Sequence, residues 1–440
     1  LPSSFTMAGP ARKGKAGATG LRVKIMREDE NPCQVHVHIS SVDRPGILAE
    51  ALESVVQFDL DVLDIKQFVF NGLLNLSLLL RGKKENSLTG LKEALGGWAG
   101  KNDITVQVLP WESGRRPEAP YKHRLVVTLL GPNLSSKVFL DLTQTFAGRD
   151  INILRIEQLD YSDHHVIEVV IGSREEHSTV DILNALVQFK ENFPVDIAVQ
   201  EDTMFRRNKR LIVFDADMTF LQCEVIDELG KIAGVGKRME EITRSAMNGD
   251  LDFNLALRER VKLLVGLSID KLEELYQRIP ITPGAEDLVR ILQHLGYRIG
   301  IVSGGFQFFI DRIQDKYKLD YGIANHLAIK DGKLTGEVEG DVIDARAKEQ
   351  TLVSLARQEG FSLNQVVAVG DGANDIHMLA RAGLGIAFNA KPIVQKHANA
   401  GINQSNLELI LYFLGISGKE LKELRKVSQT TAGPSWPDPS

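Results

Sequence analysis

Three short apolar runs, each closing on a cluster of acids, glycines or a serine, constrain this chain more than any other feature. Leu211-Ile212-Val213-Phe214 leads into Asp215-Ala216-Asp217. Ile299-Gly300-Ile301-Val302 leads into Ser303-Gly304-Gly305, and Val366-Val367-Ala368-Val369 into Gly370-Asp371-Gly372-Ala373-Asn374-Asp375. Runs of this kind are strands buried on both faces of a parallel sheet, and open α/β sheets take their ligands beyond the carboxyl ends of such strands. The expectation is a doubly wound, Rossmann-like α/β body that collects all three clusters in one pocket.

Composition excludes several functions. The chain has 440 residues, 43% of them hydrophobic, enough for several cores. Its 52 basic and 58 acidic side chains leave a net charge of -6, with no polycation for nucleic acid and no like-charge block for a membrane surface. No apolar run is long enough to span a bilayer. Small-molecule partners are favoured. Cys33 and Cys223 stand far apart without metal or disulfide spacing, so a reducing cytoplasm is the expected setting. Residues 1–30 read as a disordered lead, and residues 419–440, rich in Pro and Ser at their end, as a flexible tail.

From Gln34 to about Pro110 the order is strand, helix, strand, strand, helix, strand. Val35, Val37 and Ile39 alternate with His36 and His38, as on a strand with one buried face. Ile47, Leu48 and Leu52 share a helix face after Asp43-Arg44-Pro45-Gly46, and Asn71-Gly72 signals a hairpin. Tyr121 to about Gln200 repeats this order. Asn152-Ile153-Leu154-Arg155-Ile156-Glu157-Gln158 aligns with Asp61-Val62-Leu63-Asp64-Ile65-Lys66-Gln67. Two tandem βαββαβ modules of ferredoxin-like type, at 31–112 and 119–201, account for the pattern.

The first module resembles the ACT domain, a small-ligand sensor, because Asp43-Arg44-Pro45-Gly46-Ile47 stands where that family carries its ligand-binding turn. The resemblance implies an amino-acid ligand, serine itself being a candidate, at Asp43 and Gly46, and a homodimer formed through these modules. Physically, Pro45 and Gly46 set a tight turn that leaves helix N-terminal N–H groups free for a carboxylate. The plainer alternative is a turn capped by Asp43. The second module carries Gly131-Pro132-Asn133 at this place, a degenerate form that keeps the packing without the ligand. Glu201 to Arg210, with Arg206, Arg207, Lys209 and Arg210, reads as a solvated linker.

From Leu211 onward strands alternate with helices over a body at 209–418. Between Glu224 and about Arg278 no strand-like run occurs. Amphipathic helical segments, with Leu257, Val261 and Leu264 on one face, precede Pro280 and Pro283-Gly284. This insert, about 224–280, reads as a helical cap.

Asp215 and Asp217 end a buried strand, where unpaired carboxylates are costly and demand a counter-charge. With Asp371 they form an oxygen-only set suited to Mg²⁺. An acid pair of this spacing also serves nucleotide-sugar transferases, so its company decides. Thr219, Ser303-Gly304-Gly305, Lys348 and the Gly370–Asp375 loop follow in order.

As an ordered set these residues resemble the haloacid dehalogenase superfamily of phosphatases, and within it the phosphoserine phosphatases, over Leu211 to about Leu414. The resemblance implies that Asp215 is the nucleophile and Asp217 the proton donor and acceptor. Mg²⁺ would be held by Asp215, the backbone carbonyl of Asp217, and Asp371, with Asp375 standing behind them. Ser303, the Gly304 N–H and Lys348 would bind phosphoryl oxygens, and Asn374 would orient the phosphate. A carboxylate can attack phosphorus when a cation neutralises the dianion, and a serine alkoxide leaves only with a proton.

Phosphoserine also carries an ammonium and a carboxylate. The family pattern assigns these to Glu224 and Arg260, with Met247 and Phe253 as an apolar wall. Arg260 as a surface partner of Glu259 or Glu240, and Phe253 as plain core, are the alternatives. Met218 departs from the family, which usually has serine there. His377 reads as helix surface and Cys223 as a small hydrophobe. The expected activity is Mg²⁺-dependent hydrolysis of O-phospho-L-serine to L-serine and phosphate, the last step of serine synthesis. Three rivals stay open: a phosphatase for another small phosphomonoester, a phosphotransferase, and a sensory protein with an inactive body.

Overall fold

The computed structural model describes residues 33–82, 86–111, 121, 123–162, 164–247 and 252–431. The expected lead at 1–30 and the last residues of the tail lie outside them. The chain divides into two units, Leu1–Pro120 and Tyr121–Ser440.

The first unit runs β1 (Cys33–Val42), α1 (Ile47–Val56), β2 (Asp61–Phe70), β3 (Leu73–Gly82), α2 (Asn86–Asn102) and β4 (Thr105–Trp111). Its antiparallel sheet has the order β2-β3-β1-β4. The alternation in β1 buries Val35, Val37 and Ile39 with Leu74, Leu76, Leu78 and Leu80, against Ile47, Ala51 and Val55 of α1 and Leu91 and Leu95 of α2. Asn71 and Gly72 both take positive φ, 48° and 77°, the turn that matches strand twist in a two-residue hairpin.

The second unit opens with the same order: β5 (His123–Gly131), α3 (Ser136–Ala147), β6 (Asn152–Asp160), β7 (His165–Ser173), α4 (Thr179–Ala185), α5 (Val187–Asn192) and β8 (Asp196–Glu201). The strands lie as β6-β7-β5-β8, the arrangement of the first unit. Register shifts fall at equivalent places, between Val62 and Asp64 in β2 and between Ile153 and Arg155 in β6.

The body continues with β9 (Leu211–Phe214), α6 (Val225–Ile232), α7 (Gly236–Met247), α8 (Phe253–Lys262), α9 (Ile269–Tyr276), α10 (Ala285–His294), β10 (Arg298–Phe306), α11 (Gln307–Tyr317), β11 (Tyr321–Lys330) and β12 (Lys333–Glu339). It closes with α12 (Ala345–Gln358), β13 (Val366–Gly370), α13 (Ile376–Arg381), β14 (Leu384–Phe388), α14 (Pro392–Gln395), β15 (Ala400–Ile402), α15 (Ile410–Phe413) and α16 (Gly418–Thr431). From β9 the chain goes to β10 on one side and later to β13 on the other, both parallel to β9. The three clusters therefore meet at a topological switch point.

Three expectations need correcting. The second module does not stand alone: β8 pairs antiparallel with β15, through Ala198↔Ala400 and Ile197↔Gly401, and fuses both parts into one 11-stranded sheet. Both strands are buried apart from Glu201 at the end of β8, so pairing covers two edges at once. The stretch from Glu201 to Arg210 is not a solvated linker either. It must run from β8 past the ends of β15, β14 and β13 to reach β9, and in doing so Arg206 and Lys209 become buried. Arg206 pairs with Glu168 of β7, and Lys209 Nζ donates to the Asn364 carbonyl at 2.7 Å. Residues 418–431 are a helix rather than a tail, with Leu421 in the core and Arg425 bound to Glu408.

The cap comprises α6 to α9. Its entry and exit lie side by side, joined by the Leu221↔Ile281 bridge and by the Gln222 N–H donating to the Pro280 carbonyl at 2.9 Å. The predicted face Leu257, Val261 and Leu264 is buried in the same core as Ile212 and Phe214.

Candidate active site

Asp215 leaves β9 at its carboxyl end, and its Oδ1 accepts the Ala216 N–H at 2.8 Å. Lys348, fully buried on α12, places Nζ 2.8 Å from Asp215 Oδ1 and 2.8 Å from Asp375 Oδ1. The other oxygen of Asp375 accepts the Gly372 N–H at 3.0 Å. Asp371, at the end of β13, receives the buried Thr219 hydroxyl at 3.1 Å. Oxygens of Asp215, Asp371 and Asp375 all lie within 4.8 Å of one another.

The electrostatics follow from this crowding. Burial raises the pKa of Asp215, reinforced by Asp375 and opposed by Lys348. Burial, then Glu224, push Asp217 up to about 8, and burial with Asp375 pushes Asp371 up to about 7. Burial works against the charge on Lys348, but Asp215 and Asp375 outweigh it and raise its pKa. Four carboxylates thus share one lysine. A divalent cation with a preference for oxygen fits this donor set, in which Asp375 is already committed to Lys348 and Gly372.

Opposite lies the carboxyl end of β10, a loop-like stretch whose register against β11 shifts between Val302 and Phe306. The Ser303 hydroxyl is buried and accepts the Gly305 N–H at 2.9 Å, which leaves its own proton free to be donated. A β-carbon at Gly305 would lie 3.0 Å from Asp217 Oδ2 and 3.1 Å from Ser303 Oγ, so glycine lets these two groups flank the same spot. Asn325 Nδ2 fixes the loop through the Gly304 carbonyl at 2.8 Å. Phe253, at the start of α8, approaches this loop: a β-carbon at Gly304 would be 3.3 Å from its Cζ. The predicted Phe253 therefore joins cap to loop rather than serving only as core.

Glu224 precedes α6, open to solvent, and makes no capping hydrogen bond. Desolvation of its carboxyl raises its pKa, as does Asp227, while Arg260 opposes them. Arg260 is half-buried on α8. Asn374 lies against Gly372, where a β-carbon would be 2.2 Å from its Oδ1. Met247 ends α7, but its side chain lies outside the described residues. Met218 adopts φ 56° with an exposed side chain, so its bulk stays out of the carboxylate cluster. His377 is exposed on α13, and Cys223 is half-buried with its thiol pushed up to about 12, first by burial.

In the first unit, Gly46 precedes α1 with φ 97° and Asp43 does not cap the helix. Sequence reasoning missed a clamp beside this turn. Arg44 holds Glu50 through two bonds of 2.7 and 2.8 Å, and Trp98 Nε1 donates to Glu50 Oε2 at 3.0 Å. Arg44, then Trp98, hold Glu50 down at about 2. It also passed over Asp227, which stands three residues after Glu224 in the first turn of α6.

Comparison with known proteins agrees with this geometry. The haloacid dehalogenase-like hydrolase profile matches residues 212–380, and the ACT domain profile matches residues 35–109. A phosphoserine phosphatase of Streptomyces coelicolor is 36% identical over 386 residues, spanning 88% of this chain and 93% of its own. Phosphoserine phosphatase SerB2 of Mycobacterium tuberculosis is 34% identical over 392 residues, spanning 88% and 94%. A solved structure of a probable phosphoserine phosphatase from Vibrio cholerae, in unliganded form, superposes with a TM-score of 0.52 at 32% identity, covering 73% of this chain and 92% of that one. Among the described residues no helix is long and apolar enough to cross a membrane. The chain belongs to the phosphoserine phosphatases of the haloacid dehalogenase-like hydrolases, with an ACT domain in its N-terminal part.

Proposed function

We propose that this chain hydrolyses O-phospho-L-serine to L-serine and phosphate through an aspartyl-phosphate at Asp215, with Mg²⁺ as cofactor. The observation that carries the proposal is the placing of two unlike carboxyls: Asp215 in contact with Lys348, and Asp217 clear of that lysine, its Oδ2 and the Ser303 Oγ flanking Gly305. Asp215 attacks phosphorus as the bond to the serine oxygen breaks. Asp217, in its protonated form, gives its proton to that oxygen. The resulting Asp217 carboxylate then takes a proton from the water that attacks the aspartyl-phosphate, which releases phosphate and restores Asp215.

The Lys348 ammonium and the Ser303 hydroxyl donate to the phosphoryl oxygens, with the Gly304 N–H and Asn374 completing the cradle. Asp215, Asp371 and the Asp217 carbonyl would hold Mg²⁺, with Asp375 steadying Lys348 behind them. Bound there, the ion would offset the charge of the incoming dianion. Glu224 receives the ammonium, Arg260 the carboxylate, and Phe253 with Met247 excludes water. At Asp43 and Gly46 the ACT domain senses an amino acid, serine being the first to try, and the chain forms a homodimer.

Phosphate release from phosphoserine, phosphothreonine and phosphoglycolate, with and without Mg²⁺ and with added serine, tests this reading. Phosphoserine is expected to be the best substrate, Mg²⁺ to be required, and Asp215→Asn to abolish turnover. Undiminished release by Asp215→Asn would overturn the mechanism.

A further inference from the structure

Among the described residues eight buried side-chain polar atoms lack a hydrogen-bond partner. Four of these, Asp227 Oδ1, Thr243 Oγ1, Asn254 Oδ1 and Arg260 Nε, belong to the cap. Orphaned polar atoms are rare in native interiors, and a concentration of them in one element calls for an explanation. Two of the four are complementary: Asp227 offers an acceptor and Arg260 a donor.

Asp227 lies in the first turn of α6, and Arg260 in the last turn of α8. The α7 helix packs on both. Burial raises the pKa of Asp227, and the strongest opposing influence is the Arg260 charge, followed by Lys231. Lys231 is already paired, with Nζ 2.6 Å from Glu228 Oε1. Glu240 and Glu228 repel Asp227. That leaves Arg260 as the cation available to it. Glu224, by contrast, is exposed, which suits it to meet a substrate ammonium directly.

We propose that Asp227 is a positioning residue for Arg260. When a substrate carboxylate enters, Arg260 Nε–H donates to Asp227 Oδ1, and this bond turns the two terminal nitrogens toward the carboxylate as a fork. The inference rests on phosphoserine being the substrate. Asp227 touches no reacting atom. Its contribution is confined to substrates that carry a carboxylate.

The test compares phosphoserine with phosphoethanolamine, which keeps the ammonium and lacks the carboxylate. Asp227→Ala is expected to raise KM for phosphoserine about tenfold, the scale of one charge-assisted hydrogen bond, with kcat little changed. Asp227→Asn, which keeps an uncharged acceptor and nearly the same shape, falls between and guards against misfolding of the alanine variant. Phosphoethanolamine kinetics stay as in the parent. In an Arg260→Ala background, removing Asp227 adds nothing further. Equal losses on both substrates, or the same loss with and without Arg260, overturn the role. A parent enzyme that does not prefer phosphoserine over phosphoethanolamine overturns the substrate reading itself, a different result from a preference that Asp227 does not influence.

Discussion

Replacing Lys348 with methionine separates what this residue does for the fold from what it does for turnover. Its Nζ is 2.8 Å from Asp215 Oδ1 and 2.8 Å from Asp375 Oδ1, with no solvent access. Methionine fills a similar volume but leaves two buried acids facing each other. Removing one partner from a buried ion pair costs about 3–5 kcal/mol. For a unit of this size that lowers the melting temperature by on the order of 10 °C.

The loss depends on pH in a definite direction. Asp215 already has a raised pKa, and without the lysine it rises further. An acid whose folded pKa lies above its unfolded value destabilises increasingly as pH climbs between the two. Lys348→Met should therefore melt closest to the parent in acid and furthest from it near neutrality. Adding Asp375→Asn removes the repulsion and should recover much of the stability. It should recover none of the turnover, which falls roughly 10²–10³-fold without a cation on the phosphoryl oxygens. Thermal melts across pH and phosphate-release assays read the two effects separately. A Lys348→Met protein that melts like the parent at pH 7 refutes the claim that this lysine is the counter-charge holding the two acids.

Gly305→Ala puts a β-carbon 3.0 Å from Asp217 Oδ2 and 3.1 Å from Ser303 Oγ. Displacing these two groups should lower kcat by about tenfold or more with an unchanged melt. Lys209 is buried, and burial first, then Arg206, bring its pKa down to about 8 from 10.5. A depressed lysine withholds stability below its folded pKa and returns it as pH rises toward the unfolded one, here by about 3 kcal/mol. The parent should thus gain stability between pH 8 and 10, and Lys209→Met should lose that slope. At pH 7 the variant should be more stable by about 1–2 kcal/mol, after allowing for the orphaned Asn364 carbonyl. Melts across alkaline pH decide.

The features legible in the sequence are those written into local periodicity or into motifs carried on it. Alternation in β1 and the Asn71-Gly72 turn fixed the hairpins, and the alignment of Asp61–Gln67 with Asn152–Gln158 extends to a register shift at the same step. Asp215 and Asp371 could be brought together on paper because each ends a buried strand, and such strands share one open end. What escaped depends on distant partners. Nothing near Ile197 announces that β8 will meet β15. The charge run through Arg206 and Lys209 resembles any solvated run until the strand order forces it across the sheet. The pattern of Leu421 and Leu424 in α16 is helical, but the Pro- and Ser-rich residues beyond it obscured the signal. Lys348 was legible as a phosphate ligand and not as the tie between two acids, because that role depends on how closely β9 and β13 hold Asp215 and Asp375.

The fused sheet also limits how regulation could work. From β8 the ladder passes through β15, β14 and β13, the strand that carries Asp371 into the site. The junction is reinforced by Gln200 Nε2 donating to the Phe413 carbonyl at 2.8 Å and by Asn403 and Gln404 donating to Asp196. Coupling between sites needs an element with two arrangements of similar energy. A buried, continuously hydrogen-bonded sheet lacks this property, whereas the cap, with its adjacent entry and exit segments and unpaired polar atoms, has room for it. An amino acid acting on turnover should therefore change the cap and leave the β8–β15 junction alone. Hydrogen exchange tests this: amides of β8 and β15 should be as protected as those of β13, and added serine should alter protection in α6 to α8 without altering theirs. Serine-dependent loosening of β8 against β15 would show instead that the second module swings as a separate body.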